Sequence, residues 1–461
     1  MTRRYYRSLV GILVVAAAMS LPIVGQSKRD KERARQLTVQ AANAYREKNY
    51  REAADKYAEV IAILPNNPNA HYAKGSAHVD LKEYDAALNE FTLAMNKGFR
   101  PILAIYKIRA FVYNEQKNYD AAAAELEKGL AIAPKDLQVL KDLAGTHINR
   151  KAYTQALDVL NRAARIAPQD ADVNFDIARV YYERGDFGNQ RTAAETALAK
   201  GTRFPGEAYF LLGDACRKQN NTPCAIDAYQ KSANAKPDNL QTYRTLAEIF
   251  QDEYRFPDAI NILKQGLKAF PANGYLYTDL GRYYSFDDRP NDAIQAAKSG
   301  IHLLPKQSAA YTNLCRAYNE TKAYDLAVKE CNTALLLKPG DGETYFYLGN
   351  ANVGQGRTVE ANKLYAQAVK GLEKLTATSP NLSENWYLLG NAYFADRQTD
   401  KAIEAYTRCL SISPKFLKAR FNLGIAQIRK KNRAAAMEQY ERILPVDADL
   451  AARLKGEIDR M

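Results

Sequence analysis

From residue 34 onward, apolar positions recur at helical spacing, as at Tyr311, Leu314 and Tyr318, with polar residues filling the opposite face. The stretches come in pairs, and one frame restarts near residues 34, 68, 103, 137, 171, 206, 240, 274, 308, 342, 383 and 417. Twelve copies cover about nine tenths of the chain. The eighth position of each copy is small: Ala41, Gly75, Ala110, Ala144, Ala178, Gly213, Ala247, Gly281, Cys315, Gly349, Gly390 and Gly424. At the twentieth, eleven copies have alanine and one has Gln190. Antiparallel helices approach closely only where the facing side chains are small, so these two positions mark the contact line of a helical hairpin. Proline then closes most copies, at Pro65, Pro134, Pro168, Pro237, Pro271, Pro305, Pro339, Pro380 and Pro414. The pattern predicts an all-α stack of helix–turn–helix units.

Three places depart from it. Gln190 interrupts the alanine row, and its copy ends in Lys200-Gly201-Thr202 without a proline, which predicts a looser hairpin or a kink. A second copy, ending Lys97-Gly98-Phe99, also lacks the proline. Seven extra residues precede Pro380; that is close to two helical turns, so a longer second helix would keep its buried face in phase. The expected organisation is units one to ten over 34–370, a helix extension and linker over 371–382, and units eleven and twelve over 383–446. Any break between sub-arrays is expected at 371–382. Over 447–461, Asp447 offers a helix cap before Leu450, Leu454 and Ile458, which share one face as a terminal capping helix requires.

The clearest copy reads Trp386-x-x-Leu389-Gly390-x-x-Tyr393, then Ala402-x-x-x-Tyr406 and Pro414. This resembles the tetratricopeptide repeat, a helix–turn–helix unit of about 34 residues. The resemblance implies a right-handed α-solenoid of about twelve units whose concave groove, lined by positions two, five, nine and twelve of each first helix, holds a peptide or a partner helix. Carried onto this chain, position five gives Phe175, Phe210, Phe346, Tyr387 and Phe421, and position nine gives Arg179, Arg282, Arg316, Asn350 and Asn391. Aromatic surface beside Arg and Asn suits an extended backbone and its acidic groups. The alternative role of the position-five rings is packing against the adjacent repeat. The carboxylate clamp of some family members, built on Lys-x-x-x-Asn and Lys-x-x-x-Arg, has no match: Lys107 is followed by Phe111 and Lys141 by Gly145. An internal acidic or aromatic segment is the expected ligand.

The N-terminus adds a compartment to this picture. Met1 to Arg7 is basic, Leu9 to Val24 is largely apolar, and charged sequence follows Gln26. That is the layout of a secretory signal over 1–27, followed by a basic linker over 28–33. An uncleaved membrane anchor is the alternative, although the apolar run falls short of an ordinary span of ~17–25 residues. Export to the periplasm or cell envelope of a bacterium is expected, with membrane association only through an uncleaved N-terminal segment.

Chemistry is scarce. The net charge of +13 in 461 residues includes Arg3, Arg4 and Arg7 of the N-terminal segment, and the remaining charges interleave, so no nucleic-acid stripe emerges. His71, His78 and His147 occupy packing positions, and Gly354-x-Gly356 lacks the strand and the Lys-Ser/Thr of a phosphate loop. No catalytic set, metal or cofactor is expected. Cys216 and Cys224 lie at positions eleven and nineteen of one copy, Cys315 and Cys331 at positions eight and twenty-four of another. In an antiparallel hairpin such positions face each other, so each pair can form a disulfide or can serve as small buried filler, as Cys409 does. The expected function is a non-catalytic protein-interaction scaffold in the envelope. Alternatives are an assembly factor for a secretion, pilus or outer-membrane complex, and the recognition subunit of a polysaccharide- or peptidoglycan-processing enzyme. The sequence carries no signature of oligomeric state.

Overall fold

The computed structural model describes residues 27–461. The expected signal segment lies, apart from Ser27, outside the described residues. Among these, there are 25 helices and no strand, and none of the helices is long and apolar enough to cross a membrane. Twelve helix pairs follow one another along the chain, from Lys28–Arg46 with Tyr50–Ile63 to Leu417–Arg429 with Arg433–Ile443, and Ala448–Asp459 covers the end. The fold is an all-α repeat array.

The small positions behave as the pattern requires. All eleven position-twenty alanines, from Ala53 to Ala436, have no exposed surface. A Cβ added to Gly281 would sit 3.4 Å from the Ala293 carbonyl oxygen on the facing helix, so the two backbones meet along that line. Gln190 does not loosen its hairpin. It is fully buried, and its Nε2 donates to the Leu211 carbonyl at 2.8 Å and to Asp214 at 3.3 Å, tying its helix to the next repeat.

The turn inside each hairpin has its own rule. One residue per repeat takes left-handed backbone, with φ between 54° and 76°: Lys48, Lys82, Lys117, Lys151, Gly185, Asn220, Tyr254, Asp288, Lys322, Gly356, Arg397 and Lys431. This residue ends the first helix and turns the chain into the second. Glycine fits such a backbone without steric cost, which accounts for Gly356 as a turn residue.

The chain divides between Asn220 and Asn221 into two compact units. The N-terminal unit holds repeats one to five and the first helix of repeat six; the C-terminal unit holds the rest. The expected break at 371–382 is absent. The second helix of repeat ten runs unbroken from Thr358 to Thr378, 21 residues, against 13 or 14 in most others. Its added turns stay in phase, so Ala368, Val369 and Leu372 share one buried cluster with Leu388 and Leu389 of repeat eleven. Residues 28–33 are not a linker either. Ser27 caps the first helix, its hydroxyl accepting from the Asp30 N–H at 3.1 Å, and the helix starts at Lys28. At the far end, Asp447 accepts from the Leu450 N–H at 2.9 Å, and Ala451, Leu454 and Ile458 of the capping helix are fully buried.

Candidate functional site in the C-terminal unit

Position nine of the first helices in repeats nine, ten and eleven brings Arg316, Asn350 and Asn391 to one wall of a cavity of about 560 Å³. Phe346 and Tyr387 from position five line it too, together with Asn422 of repeat twelve. Arg316 is buried. Its guanidinium lies 4.2 Å from the Phe286 ring centroid and 5.7 Å from that of Tyr347, and its Nε donates to Glu320 at 3.0 Å. A desolvated guanidinium held between aromatic faces is a strong anchor for an anionic or carbonyl group.

The asparagines are fixed by phenols. Asn350 Oδ1 accepts from the Tyr365 hydroxyl at 2.8 Å, and Asn391 Oδ1 accepts from the Tyr406 hydroxyl at 2.7 Å and from Asn422 Nδ2 at 2.8 Å. Burial pushes the Tyr387 phenol up, eased by the amides of Asn391 and Asn422, so this phenol stays neutral at physiological pH. Carboxamides donate and accept at once, which matches the alternating N–H and C=O of a peptide backbone. Lys418 also lines the cavity; burial lowers its ammonium, and Asp288 opposes that shift.

The remaining position-five and position-nine residues lie elsewhere. Arg282 is committed within the unit, since its Nε donates to Glu384 Oε1 at 2.9 Å. Glu384 is 3% exposed and also accepts from Gln251 at 3.0 Å. Phe421 packs toward the capping helix beneath the Arg453 guanidinium at 5.3 Å, and lines a second cavity of about 540 Å³. Phe175, Arg179 and Phe210 belong to the N-terminal unit. There Phe175 is buried and stacked on Phe204 at 5.1 Å, Arg179 pairs with Asp176 at 3.1 Å, and Phe210 is half-buried. Seven of the ten candidates thus fall in the C-terminal unit, and five of them line one cavity.

Cys315 and Cys331 join the two helices of repeat nine in a disulfide with a Cα–Cα distance of 5.3 Å. Cys216 and Cys224 are oxidised as well. The free Cys409 is buried, which raises its thiol to about 12 and leaves it inert. Among the described residues, no group of three His, Cys, Asp or Glu side chains is arranged to hold a metal. Three contributors escaped positions five and nine: Glu384 and Lys418, both at position two of their repeats, and Asn422 at position six. The position-two row would have pointed to the first two.

Two sequence models of the tetratricopeptide repeat match the chain, one over residues 113–174 and 393–458, the other over 38–95 and 175–239, together more than half of it. Similar curated proteins include the Hsp70-Hsp90 organising protein of Plasmodium falciparum, 30% identical over 19% of this chain and 16% of that protein. Another is the small glutamine-rich tetratricopeptide repeat-containing protein 2 of Saccharomyces cerevisiae, 36% identical over 14% of this chain and 19% of that protein. The Hsc70-interacting protein 1 of Drosophila melanogaster is 26% identical over 26% of this chain and 32% of that protein. The chain therefore spans about a third or less of the curated relatives it matches. Among solved structures, MamA is 29% identical over 38% of this chain and 94% of that chain, with a TM-score of 0.33. A repeat protein from Parabacteroides merdae is 15% identical over 56% of this chain and 98% of that chain, with a TM-score of 0.44. With the repeat models matching more than half of its residues and the helix pairs recurring at the repeat's period, the chain belongs to the tetratricopeptide repeat family.

Proposed function

We propose that this protein is a non-catalytic scaffold of a bacterial cell envelope that holds an extended segment of a protein partner against the first helices of repeats nine to twelve. The observation that carries this reading is the roughly 560 Å³ cavity where Arg316, Asn350, Asn391 and Tyr387 converge. Its amides suit a peptide backbone, its tyrosine ring suits an apolar side chain, and its buried guanidinium suits a carboxylate. The disulfide of repeat nine supports an exported location, since such bonds persist in oxidising compartments.

A photo-crosslinking residue at Asn350 tests the site, with the same residue at Leu336, 83% exposed, as control. A partner captured from Asn350 but not from Leu336, and lost when Arg316, Tyr387 and Asn391 are replaced together, supports the assignment. Equal capture from both positions, or capture indifferent to the triple replacement, overturns it. Export is read separately from the intact mass of the natively expressed protein, unfolded without reductant so that every free thiol, the buried Cys409 included, is alkylated. Loss of roughly the first 25 residues with four unmodified cysteines is the expected result for a cleaved signal in an oxidising compartment. A full-length mass with every thiol alkylated would refute export.

A further inference from the structure

The connection from repeat eleven to repeat twelve and the first two residues of the helix it enters, residues 413–418 (Ser-Pro-Lys-Phe-Leu-Lys), dock on the turns of repeats seven and eight, 130 to 164 residues earlier in the chain. Phe416 is its centre. The ring is 4% exposed, with its centroid 5.7 Å from Tyr254, 6.3 Å from Phe286 and 4.9 Å from Tyr387. Polar contacts frame it on both sides. Lys415 pairs with Glu253, and Lys418 Nζ donates to Asp288 at 2.7 Å. The Ser413 hydroxyl donates to the Asp252 carbonyl at 3.2 Å, and the Lys418 N–H donates to the Tyr254 hydroxyl at 3.3 Å.

These contacts lie outside the logic of the stack, in which each repeat needs only its neighbours. The receiving residues are unusual in their own row. At the left-handed turn position, seven repeats carry Lys or Arg, two carry Gly and one carries Asn; Tyr254 and Asp288 are the exceptions, and both receive the 413–418 segment. A bulky tyrosine on left-handed backbone is a strained choice that a turn alone does not call for. The segment also stands between two spaces, because Lys418, Tyr387 and Asn422 line both the cavity of about 560 Å³ and the neighbouring one of about 540 Å³. The second carries Asp287, Asp288, Asp447 and Asp449, against Lys418 and Arg453. Lifting the segment would join the spaces and bare an acidic, aromatic notch. Where it is ionic the hold is half in solvent: Lys415 is 64% exposed against 25% for Glu253, and Asp288 84% against 23% for Lys418, so salt weakens both pairs from one side.

We infer that residues 413–418 are a gate, a built-in occupant of the notch formed by Glu253, Tyr254, Phe286 and Asp288, and that a partner segment with an aromatic residue flanked by lysines competes for the same place. This rests on the reading of the adjoining cavity as a peptide site and adds how access to it is controlled and what chemistry opens it.

The probe is a fluorescent peptide of this chain's own residues 411–420, offered to the full-length protein. In the variant Lys415→Glu with Lys418→Glu, hydrogen exchange at 252–256 and 284–288 is expected to rise about tenfold or more, and the peptide to bind in trans. Wild-type protein is expected to stay protected and bind the peptide at least about tenfold more weakly; about 0.5 M salt, which screens the gate's pairs and the peptide's alike, should raise its exchange without raising peptide binding. Adding Glu253→Lys and Asp288→Lys to that variant swaps the charges; it should restore protection and reject the peptide, which separates gate opening from misfolding. Unchanged exchange in the double variant, failure of the swap to restore protection, or equal peptide binding to open and closed forms overturns the gate. Raised exchange without peptide binding overturns the competing chemistry. The exchange readout needs no partner, so it stands or falls apart from the crosslinking test of the cavity.

Discussion

The side chain at the left-handed turn position decides how much strain each repeat carries. Lys151 sits there with φ 61°, where a Cβ crowds the following carbonyl, while Gly185 meets the same demand at φ 68° without one. Lys151→Gly is expected to stabilise the N-terminal unit by up to about 1 kcal/mol, and Gly185→Ala to destabilise it by about 1 kcal/mol. Hydrogen exchange of repeats four and five under native conditions reads both. Glu90 gives a second residue-scale test. Burial alone would raise its carboxyl, but hydrogen bonds from Lys74 Nζ at 2.8 Å and His71 Nδ1 at 2.7 Å outweigh this and hold it below its ordinary value. A carboxyl depressed in the folded state stabilises above its unfolded pKa of about 4.3, and that contribution disappears as pH falls through the lower folded value. Wild-type protein should therefore lose stability in the N-terminal unit below about pH 4 more steeply than Glu90→Gln, while the variant is the weaker of the two at pH 7. Parallel acid titrations of the two proteins would rule the effect out.

Within a single hairpin, the disulfide of repeat nine sets a stability difference that can be isolated. It closes a loop of 16 residues, so Cys315→Ala with Cys331→Ala is expected to cost about 3 kcal/mol, and both sulfurs are fully buried, so reductant should act on the native protein only through local opening. The sole tryptophan, Trp386, lies in the C-terminal unit with its indole N–H donating to the Pro380 carbonyl at 2.8 Å, so its fluorescence during denaturant unfolding reports on this unit. A denaturation midpoint shared by the two proteins would contradict the expected stabilisation. Most of the element-scale structure was legible in the chain because small residues, apolar spacing and prolines all act locally. The helix of residues 358–378 illustrates this: seven added residues preserve phase, and Leu372 is buried as that requires. The boundary at residues 220 and 221 was not legible, since it depends on which repeats pack together and no local residue pattern records that. The site was legible only in part for the same reason. Arg316, Asn350 and Asn391 follow from repeat position, but the pairing of Arg282 with Glu384 joins residues 102 apart and depends on how the stack curves within the unit.

At the scale of the whole molecule, that long-range pairing changes how the array should come apart. A repeat stack held by neighbours alone unfolds as a chain of loosely coupled units, fraying from its ends. The N-terminal unit shows neighbour links of this kind, such as Tyr45 with Asp80, Lys141 with Asp170 and Arg150 with Asp120. In the C-terminal unit, contacts from Gln251 and Arg282 to Glu384, and from the 413–418 segment to Tyr254 and Asp288, tie repeats seven and eight to repeats eleven and twelve. Closing the stack on itself makes the loss of one end repeat cost contacts at the other, so these repeats should open together. Native-state hydrogen exchange is expected to show a gradient of opening free energies along repeats one to five, falling toward residue 28, but one shared value for the slowest amides of repeats seven to twelve. Lys415→Glu with Lys418→Glu should spread the shared value toward a gradient, because it removes the two ionic links of the 413–418 segment that skip neighbours, while the Glu384 contacts and those between neighbours remain. A gradient already present in the wild-type C-terminal unit would mean that the closure carries no cooperativity, whatever its role at the cavity.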